Sequence, residues 1–425
     1  MNVVYYPVPT PPPNTTAPGA VPWTKVTHPA VPTQPMDAGR LALALAKDID
    51  PCGAIPLLTT GGVQQIFDSM YRSSTVGTSK LLVADAKFAG VPGNWIKLFS
   101  ELVAAATSLA IAEHVEGYQY CLSMQFCKEG AAVPPALASG SPSWPAAYVA
   151  ALTNEWHVKT SSAASQSKLM PDYLIARQDK FGYFHFATLE SKGRSASVEA
   201  SHYPNFAAMK AQAQNAEIVA KSWSTKVPPT LERRILSLVA IRPKLKKPAS
   251  RALRCRWANH RPVDQPSDPV PDSVGLRFAA CSYAVQLHNT GFREVAHILA
   301  DCLLGDRTVD PEAITRAGEL GLSRRARGFF GIGDRQPTRG EVLISEGLLD
   351  QLADICKALR TDDPSVHRQV AERQMQFKTF LGFSESPTGE SVAFTDSERG
   401  QRDMRITRTL GGLAIVTDVF PQADH

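Results

Sequence analysis

Two carboxylates and a lysine stand at the ends of a short predicted hairpin, where their side chains could hold a divalent cation. Asp172 opens the first strand, and Glu190 and Lys192 close the second. Because strand side chains alternate between faces, Glu190 and Lys192 point the same way and Ser191 points away. If the two strands pair, Asp172 lies near Glu190. Oxygen ligands of this kind suit Mg²⁺ or Mn²⁺, and a nearby ammonium can orient an attacking water or neutralise charge on a phosphate.

The hairpin is predicted from residues 170–194. Residues 171–176 are mostly apolar and include β-branched and aromatic types, which favours a strand. Residues 178–182 supply turn chemistry, and Gly182 is free to adopt a positive φ. Residues 183–189 are again apolar and aromatic, which predicts the second strand.

The dipeptide Pro171-Asp172, followed across one hairpin by Glu190-Ser191-Lys192, resembles the PD-(D/E)xK nuclease superfamily, which has the restriction-endonuclease-like fold. The resemblance implies an α/β core with a mixed central sheet flanked by helices. It also implies that Asp172 and Glu190 hold Mg²⁺ or Mn²⁺, and that Lys192 positions or activates the water that attacks a phosphodiester. DNA is the favoured substrate, and the implied setting is restriction or anti-phage defence.

Further elements are predicted to surround the hairpin. Leucines at helical spacing indicate a helix over residues 94–114, and a continuous apolar run indicates a buried strand over 234–241. A right-handed crossover would join that strand to the second hairpin strand. The other two predicted elements are a strand at 118–126 and a helix at 205–222. The order helix, strand, hairpin, helix, strand places a nuclease-like core at residues 94–245.

In the family that this chain resembles, the first core helix often carries a glutamate that assists metal binding. Glu101 occupies that place in the predicted helix 94–114. Glu155, in a short predicted helix at 146–156, is the alternative, because it is closer in sequence to Asp172.

The helix that follows E-x-K in the same family often places a lysine or glutamine near the metal centre. Gln214 is our candidate, and Lys210 and Gln212 are also available. A second D-x-K pattern, from Asp85 to Lys87, follows an apolar run as the motif requires. No Pro-Asp strand precedes it at hairpin spacing, so we interpret it as structural.

Residues 242–261 are strongly basic and contain neither Asp nor Glu. With Trp257 interleaved, this segment predicts contacts to the phosphate backbone of a nucleic acid, and a solvated linker is the alternative interpretation. The residues predicted to make these contacts are Lys244, Lys246, Lys247, Arg251, Arg254 and Arg256.

Composition is that of a globular protein large enough for two or three domains. The chain has 425 residues, of which 44% are hydrophobic and 20% charged, and its net charge of +5 is compatible with a polyanionic partner. No apolar run reaches the roughly 20 residues of a membrane helix, and no secretory signal is visible. The seven dispersed cysteines include no C-x-x-C pair, which argues against a zinc site and fits a reducing cytoplasm.

We predict five regions from the composition along the chain: a Pro-rich tail (1–35), a helical N-terminal extension (36–93), the nuclease-like core (94–245), a basic and Pro-rich linker (246–272) and a mainly helical C-terminal domain (273–425). The C-terminal domain is expected to bind substrate, to sense a signal, or to mediate assembly with itself or a partner protein.

Two other classes of function stay open at this point. The chain could be a non-catalytic nucleic-acid-binding or assembly protein on a nuclease-like scaffold. It could also be an enzyme unrelated to nucleic acid, with a metal site built from carboxylates and His157, His185 or His202. His185 falls on the strand face opposite Glu190, so we expect it to be a packed core residue.

Overall fold

The computed structural model describes residues 2–8, 33–36, 38–48, 60–76, 79–124, 156–160, 171–194, 209, 212, 216–220, 231–241, 244, 246–247, 251–260, 269–326, 328–334, 338–382, 390–396, 400–409 and 411–418. The fold is mixed α/β, with sheets flanked by helices.

The strands are β1 Asn2–Val8, β2 Thr33–Pro35, β3 Tyr71–Val76, β4 Ser79–Ala84, β5 Tyr120–Ser123, β6 Trp156–Thr160, β7 Tyr173–Gln178, β8 Phe184–Arg194, β9 Ala216–Ala220, β10 Arg233–Ala240, β11 Arg254–His260, β12 Leu322–Ala326, β13 Phe329–Ile332, β14 Val342–Ser345, β15 Glu390–Asp396, β16 Gly400–Arg408 and β17 Leu413–Asp418. The α-helices are α1 Ala38–Leu45, α2 Thr60–Met70, α3 Gly93–His114, α4 Asp272–Asn289, α5 Arg293–Leu303, α6 Glu346–Leu359 and α7 Pro364–Gly382. Short 3-10 helices are Ala86–Gly90, Pro311–Ile314 and Ala317–Leu320.

The larger sheet has nine strands within the described ranges. Eight of them follow the order β3-β4-β1-β11-β10-β8-β7-β5, and β2 pairs with β1. Strands β5, β7 and β8 are successively antiparallel, whereas β10 runs parallel to β8. The sheet is therefore mixed, and the parallel step lies beside the strand that carries Glu190 and Lys192.

The predicted hairpin is confirmed as β7 and β8. Gly182 adopts φ 83° in the turn, which costs glycine little because it has no Cβ. The Asp179 carboxylate accepts hydrogen bonds from the backbone N–H groups of Phe181 and Tyr183, both at 2.9 Å. An aspartate that caps its own turn in this way sets the register of the two strands.

Helices cover both faces of this part of the sheet. On one face, the Ser108 hydroxyl of α3 lies 2.9 Å from the Ser191 hydroxyl and donates to the Ser237 hydroxyl at 2.7 Å, deep in the core. On the other face, Phe186 of β8 packs edge-to-face on Phe278 of α4 with 4.8 Å between ring centroids. One hydrophobic cluster accordingly includes residues from Met36 to Ile415, on both sides of the linker predicted at 246–272.

Helix α3 is the one described helix long and apolar enough to cross a membrane. Within its most apolar window, 67% is buried inside the protein. The core helix of a globular protein passes the same test, so this feature is weak evidence for a membrane span.

A second sheet has six strands in the described residues, in the order β12-β13-β14-β17-β16-β15 with antiparallel pairing. Glu113 of α3 joins it to the first part of the chain: the Gly411 N–H donates to Glu113 Oε1 at 3.3 Å, and Glu113 Oε2 forms a buried ion pair with Lys47 Nζ at 2.6 Å. The C-terminal region, predicted to be mainly helical, contains the four helices α4–α7, and it also contains this six-stranded sheet, which the sequence did not predict.

Three further expectations differ from the structure. Within the predicted Pro-rich tail, Asn2–Val8 is strand β1, which pairs in parallel with β11; its Val-Val-Tyr-Tyr run precedes the prolines and has high strand propensity. Within the predicted linker, Arg254–His260 is strand β11, because buried Cys255 and Trp257 alternate with the arginines. Within the predicted helical extension, Tyr71–Val76 and Ser79–Ala84 form an antiparallel hairpin.

Predicted helices fail at other places. The helix expected over 205–222 cannot extend past 215, since Ala216–Ala220 is strand β9, paired with β6. Its Ile-Val pair contributes to the β structure once a partner strand is present. In the C-terminal region, predicted to be mainly helical, Val342–Ser345 is strand β14, and helix α6 begins at Glu346, where the Ser345 hydroxyl caps it by accepting from the Leu348 N–H. Residues 311–320 of the same region contain two short 3-10 helices.

Candidate active site

The hairpin places Asp172 directly opposite Glu190. Tyr173 pairs with Leu189 in the β7–β8 register, so the next pair towards the open end is Asp172 with Glu190. The Ser191 N–H donates a 2.8 Å hydrogen bond to Asp172 Oδ2, which fixes the aspartate against the second strand. The two carboxylates predicted from the sequence are therefore neighbours on one sheet face.

Glu190 is a buried carboxylate with incomplete hydrogen bonding. Its side chain is 0% exposed, and Lys192 Nζ lies 2.8 Å from Oε1. Apart from this ion pair, neither Glu190 oxygen has a hydrogen-bond partner in the described part of the chain. Burial, and then the charge of Asp172, raise the Glu190 pKa to about 8 against the smaller opposing effect of Lys192. Such an orphaned carboxylate is a site at which a cation would be stabilised.

Lys192 remains a cation in this setting. Burial is the largest single influence and lowers its pKa, but the carboxylates of Asp172, Glu190 and Glu101 together raise the Lys192 pKa above its ordinary value. The sequence alone left the outcome of this competition open. A protonated ammonium can stabilise negative charge or orient water, but it cannot accept a proton as a general base.

The pKa of Asp172 is set by burial and by the same neighbouring charges. Burial raises its pKa, the charge of Lys192 and the hydrogen bond from the Ser191 N–H lower it, and Glu101 raises it slightly. The net direction is upward. Asp48, after α1, adds a further carboxylate to this neighbourhood: burial raises its pKa to about 6, and the charge of Asp172 contributes in the same direction. Nothing in the sequence around Asp48 indicates this proximity.

Glu101 reaches the cluster because α3 approaches β8 very closely. The Gly193 N–H donates to Glu101 Oε2 at 3.3 Å. A Cβ on Gly193 would lie 2.1 Å from the carbonyl oxygen of Ser100, so only glycine permits this contact between helix and strand. Glu101 is exposed and acts on Asp172 and Lys192 through its charge. Its place in the first core helix is as the sequence predicted, and Gly193 is the residue that sequence reasoning missed.

The described residues contain no cluster of three or more His, Cys, Asp or Glu side chains close enough to hold a metal ion. Asp172 and Glu190 form a two-carboxylate pair, with Glu101 near but outside it. Mg²⁺ keeps several waters and is often bound by one or two carboxylates, so the pair and its orphaned oxygens fit such an ion.

Two arginines of the predicted basic segment share the sheet face of Lys192. Lys192 pairs with Leu238 of β10, and Leu238 pairs with Arg256 of β11. One step along, Arg194 pairs with Ala240, and Ala240 pairs with Arg254. Residues paired across a ladder point to the same face, so Arg254 and Arg256 face the same way as the cluster.

The rest of the basic segment is more dispersed. Lys244, Lys246 and Lys247 are exposed and Arg251 is partly buried. Trp257, by contrast, is 1% exposed and points to the opposite face, so it cannot stack on a base. Arg194 was not singled out as a binding residue from the sequence, although the period-two series 190, 192, 194 was the signal that could have found it.

Three residues named from the sequence, Gln214, Glu155 and His202, lie outside the described residues. Met209, from the predicted helix, is buried beside Leu236 and Leu238 on the Glu190 face. His185 is partly buried, and its Nε2 lies 3.2 Å from Asp179 Oδ2 in the hairpin turn.

The second D-x-K pattern is structural, as predicted. Asp85 caps the Ala86–Gly90 turn by accepting from the Lys87 N–H at 3.0 Å, and its carboxylate pairs with Arg72. These contacts lower the Asp85 pKa, with the hydrogen bond from Lys87 as the largest influence. An aspartate with its oxygens occupied in this way differs from Asp172 and Glu190, although the local sequence patterns are alike.

In comparisons with known proteins, no protein-family model, no curated protein and no solved structure matched this chain.

Proposed function

We propose that the protein is a metal-dependent nuclease built on a restriction-endonuclease-like core. The observation that carries the proposal is the buried, unsatisfied Glu190 carboxylate, opposite Asp172 and 2.8 Å from the Lys192 ammonium. Two acids and one amine on a single sheet face are the components needed to hold a divalent cation beside a phosphate.

The order of elements supports the same core. Helix α3 precedes β5, the antiparallel β7–β8 hairpin follows, and β10 then joins β8 in parallel. A helix, an antiparallel three-stranded unit and a parallel fourth strand form the arrangement expected from the resemblance. The active edge is the end of β8 that carries Glu190 and Lys192.

The roles of the residues follow from their surroundings. Asp172 and Glu190 would hold the cation, and the Ser191 N–H would keep the Asp172 carboxylate in place. When bound, the cation supplies Lewis-acid polarisation of the phosphate and makes water a better nucleophile at neutral pH. Lys192, which stays protonated, would donate to the oxygen that gains negative charge as water bonds to phosphorus and the ester P–O bond breaks.

The test is incubation of the purified protein with plasmid, linear duplex DNA, single-stranded DNA and RNA, with Mg²⁺, Mn²⁺ or EDTA. Cleavage is expected with metal, most strongly on DNA, and is expected to disappear with EDTA. Lys192→Ala should lower the rate by about 10²–10³-fold, the magnitude for one lost electrostatic donor. Lys87→Ala is the matched control, because Lys87 is the exposed lysine of the structural D-x-K pattern. Cleavage that survives Glu190→Ala and Lys192→Ala would remove the assignment.

A non-catalytic nucleic-acid-binding protein is the second candidate, favoured by the partly buried arginines on β11. It predicts nucleic-acid binding without cleavage under every metal condition. Thermal stabilisation by Mg²⁺ separates the two ideas, because a ligand of the native state at 100 times its Kd adds about 2.7 kcal/mol to stability. The nuclease proposal expects this stabilisation, and expects Asp172→Ala to abolish it.

A further inference from the structure

Two arginines flank a small residue on the face that carries the acidic cluster. Arg194 lies at the end of β8, Arg254 at the start of β11, and Ala240 of β10 lies between them in the register. Adjacent strands are about 4.8 Å apart, so the two arginine Cα atoms are roughly 10 Å apart. The Ala240 side chain is short and is itself buried, packed with Met209 and Leu238, so the two guanidinium groups extend beyond it.

Neither guanidinium is neutralised by a residue that the structure describes. In that part of the chain, Arg194 and Arg254 have no ion-pair or hydrogen-bond partner, and both Nε atoms are shielded from solvent. Both side chains are only partly exposed. A cation that is partly desolvated and unpaired is costly, and an anion seated between two of them would relieve that cost.

Arginines at the opposite end of this part of the sheet have carboxylate partners. Arg177 of β7 donates to Glu232 at 2.8 Å, and Arg233 at the start of β10 donates to Glu116 at 2.7 Å. Among the described residues, carboxylates therefore pair with the arginines at one end of the sheet and leave Arg194 and Arg254 unpaired at the other, where the acidic cluster lies. Two unpaired arginines at that end are consistent with an anion that comes from outside the chain.

The position relative to Lys192 identifies the class of anion. Arg194 is two residues further along β8 on the same face, which corresponds to about 6.6 Å. A group held there would lie next to the phosphate that reacts at Glu190 and Lys192. Guanidinium groups match phosphate oxygens bidentately, better than an ammonium does.

We propose that Arg194 and Arg254 form a clamp for a phosphate group of the substrate strand adjacent to the scissile phosphate. The proposal deepens the nuclease assignment and rests on it for the identity of the strand. The clamp would fix the register of the strand on the sheet, while Asp172, Glu190 and Lys192 act on the neighbouring linkage. The phosphate is either an internal diester or the terminal monoester of a strand end.

Binding in EDTA tests the clamp without turnover. Affinity for labelled DNA would be measured by fluorescence anisotropy across a salt series for Arg194→Ala, Arg254→Ala and the double variant. Each single change should weaken binding roughly tenfold or more, as expected when a charged hydrogen bond is removed. The slope of log affinity against log salt should fall by about one unit for each arginine–phosphate interaction removed. Arg324→Ala, an exposed arginine of the second sheet, is the matched control and should change neither quantity.

Melting temperature separates binding from a structural role. Removal of an unpaired guanidinium should leave the melting temperature of the free protein unchanged or raise it, whereas Arg177→Ala should lower it by leaving Glu232 short of a partner. An unchanged salt slope in the double variant, or an equal change in Arg324→Ala, would overturn the clamp.

Three DNA substrates identify the source of the phosphate: closed circular, linear with a 5′-phosphate and linear with a 5′-hydroxyl. Equal losses of affinity on all three support an internal diester, and a loss confined to the phosphorylated end supports a terminal monoester. A protein that binds through both arginines yet cleaves nothing would contradict the nuclease assignment and leave the clamp standing. If the protein cleaves DNA but its affinity for DNA is unchanged in both arginine variants, the nuclease assignment would stand and the clamp would be contradicted.

Discussion

Glu113 and Glu190 are both fully buried glutamates beside a lysine, yet their electrostatic states differ. Glu113 contacts Lys47 Nζ at 2.6 Å and accepts from the Gly411 N–H, and these contacts outweigh burial and lower its pKa. Glu190 has a lysine at 2.8 Å, but its oxygens lack hydrogen-bond partners among the described residues and it faces Asp172, and its pKa is raised to about 8. Glu113 therefore has a partner for each of its two oxygens, whereas Glu190 has a single ion pair and a neighbouring acid.

The difference shows which features single out the Glu190 carboxylate as a candidate site. Burial is the same for both groups, so burial alone does not mark a site. Glu190 differs because its second neighbour is the acid Asp172, whereas the second neighbour of Glu113 is a hydrogen-bond donor, the Gly411 N–H. A fold tolerates such an arrangement only at a cost in stability, and a cost of this kind is common at functional sites.

The largest predicted effect comes from removing each lysine in turn. Lys47→Met should destabilise the protein by about 3–5 kcal/mol, because it leaves Glu113 buried without its counter-ion. Lys192→Met should cost much less, since Glu190 can accept a proton near neutral pH and Lys192 is 33% exposed. Urea unfolding at pH 7 in EDTA measures both. The double variant Lys47→Met with Glu113→Gln should recover much of the loss, and equal costs for the two lysines would erase the contrast.

A second prediction uses pH in the absence of metal. The folded-state pKa of Glu190 lies above its unfolded value, so its contribution to stability is complete below the unfolded pKa and is lost as pH rises through about 8. Glu190→Gln should therefore be more stable than the native protein at pH 9, on the order of a few kcal/mol, and near equal at pH 5.

The pH dependence of stability that Glu113 contributes has the opposite sign. Its pKa is lowered in the folded state, so its contribution is present above the unfolded pKa and is lost as pH falls through the folded pKa. Glu113→Gln should be less stable than the native protein at pH 7, and the deficit should shrink in acid. Thermal melts of both variants from pH 3 to pH 9 in EDTA check the two signs, and parallel pH profiles would contradict them.

A third prediction concerns the contact that joins α3 to β8. Gly193→Ala would place a methyl group 2.1 Å from the Ser100 carbonyl oxygen, so the helix must shift. Overpacking of this kind costs about 1–3 kcal/mol. The shift occurs at the end of α3 that carries Glu101. The rate of cleavage should therefore fall by a larger factor than the equilibrium constant for folding, and the end of α3 that carries Glu113 should keep its protection from hydrogen exchange. Activity and hydrogen exchange along α3 measure this, with loss spread evenly over the helix as the contrary result.

The smallest predicted effect belongs to the structural D-x-K pattern. Lys87→Ala removes an exposed side chain whose backbone N–H, not its ammonium, holds Asp85. Stability should change by less than about 0.5 kcal/mol, and cleavage should not change. A large loss of cleavage in this variant would mean that local pattern, rather than burial and pairing, marks the active residues.

Local features of the fold were predictable from the sequence. The hairpin followed from two apolar runs around a turn with Gly182, and the long helix followed from its leucine spacing. Long-range pairings were not. Strand β1 joins β11 across about 250 residues, and β9 exists because β6 pairs with it. Strand propensity is expressed only when a partner edge is available, and a single sequence does not name that partner.

The sequence by itself determined that Asp172, Glu190 and Lys192 would meet, because in an antiparallel hairpin the register follows from the turn. Only the tertiary structure decided the rest: that Glu190 would lie buried without donors among the described residues, that Gly193 would admit α3 and Glu101, and that Arg194 and Arg254 would share a face across Ala240. The physical reason is that alternation and turn geometry act over neighbouring residues, whereas burial, charge balance and strand order depend on segments far apart in the chain.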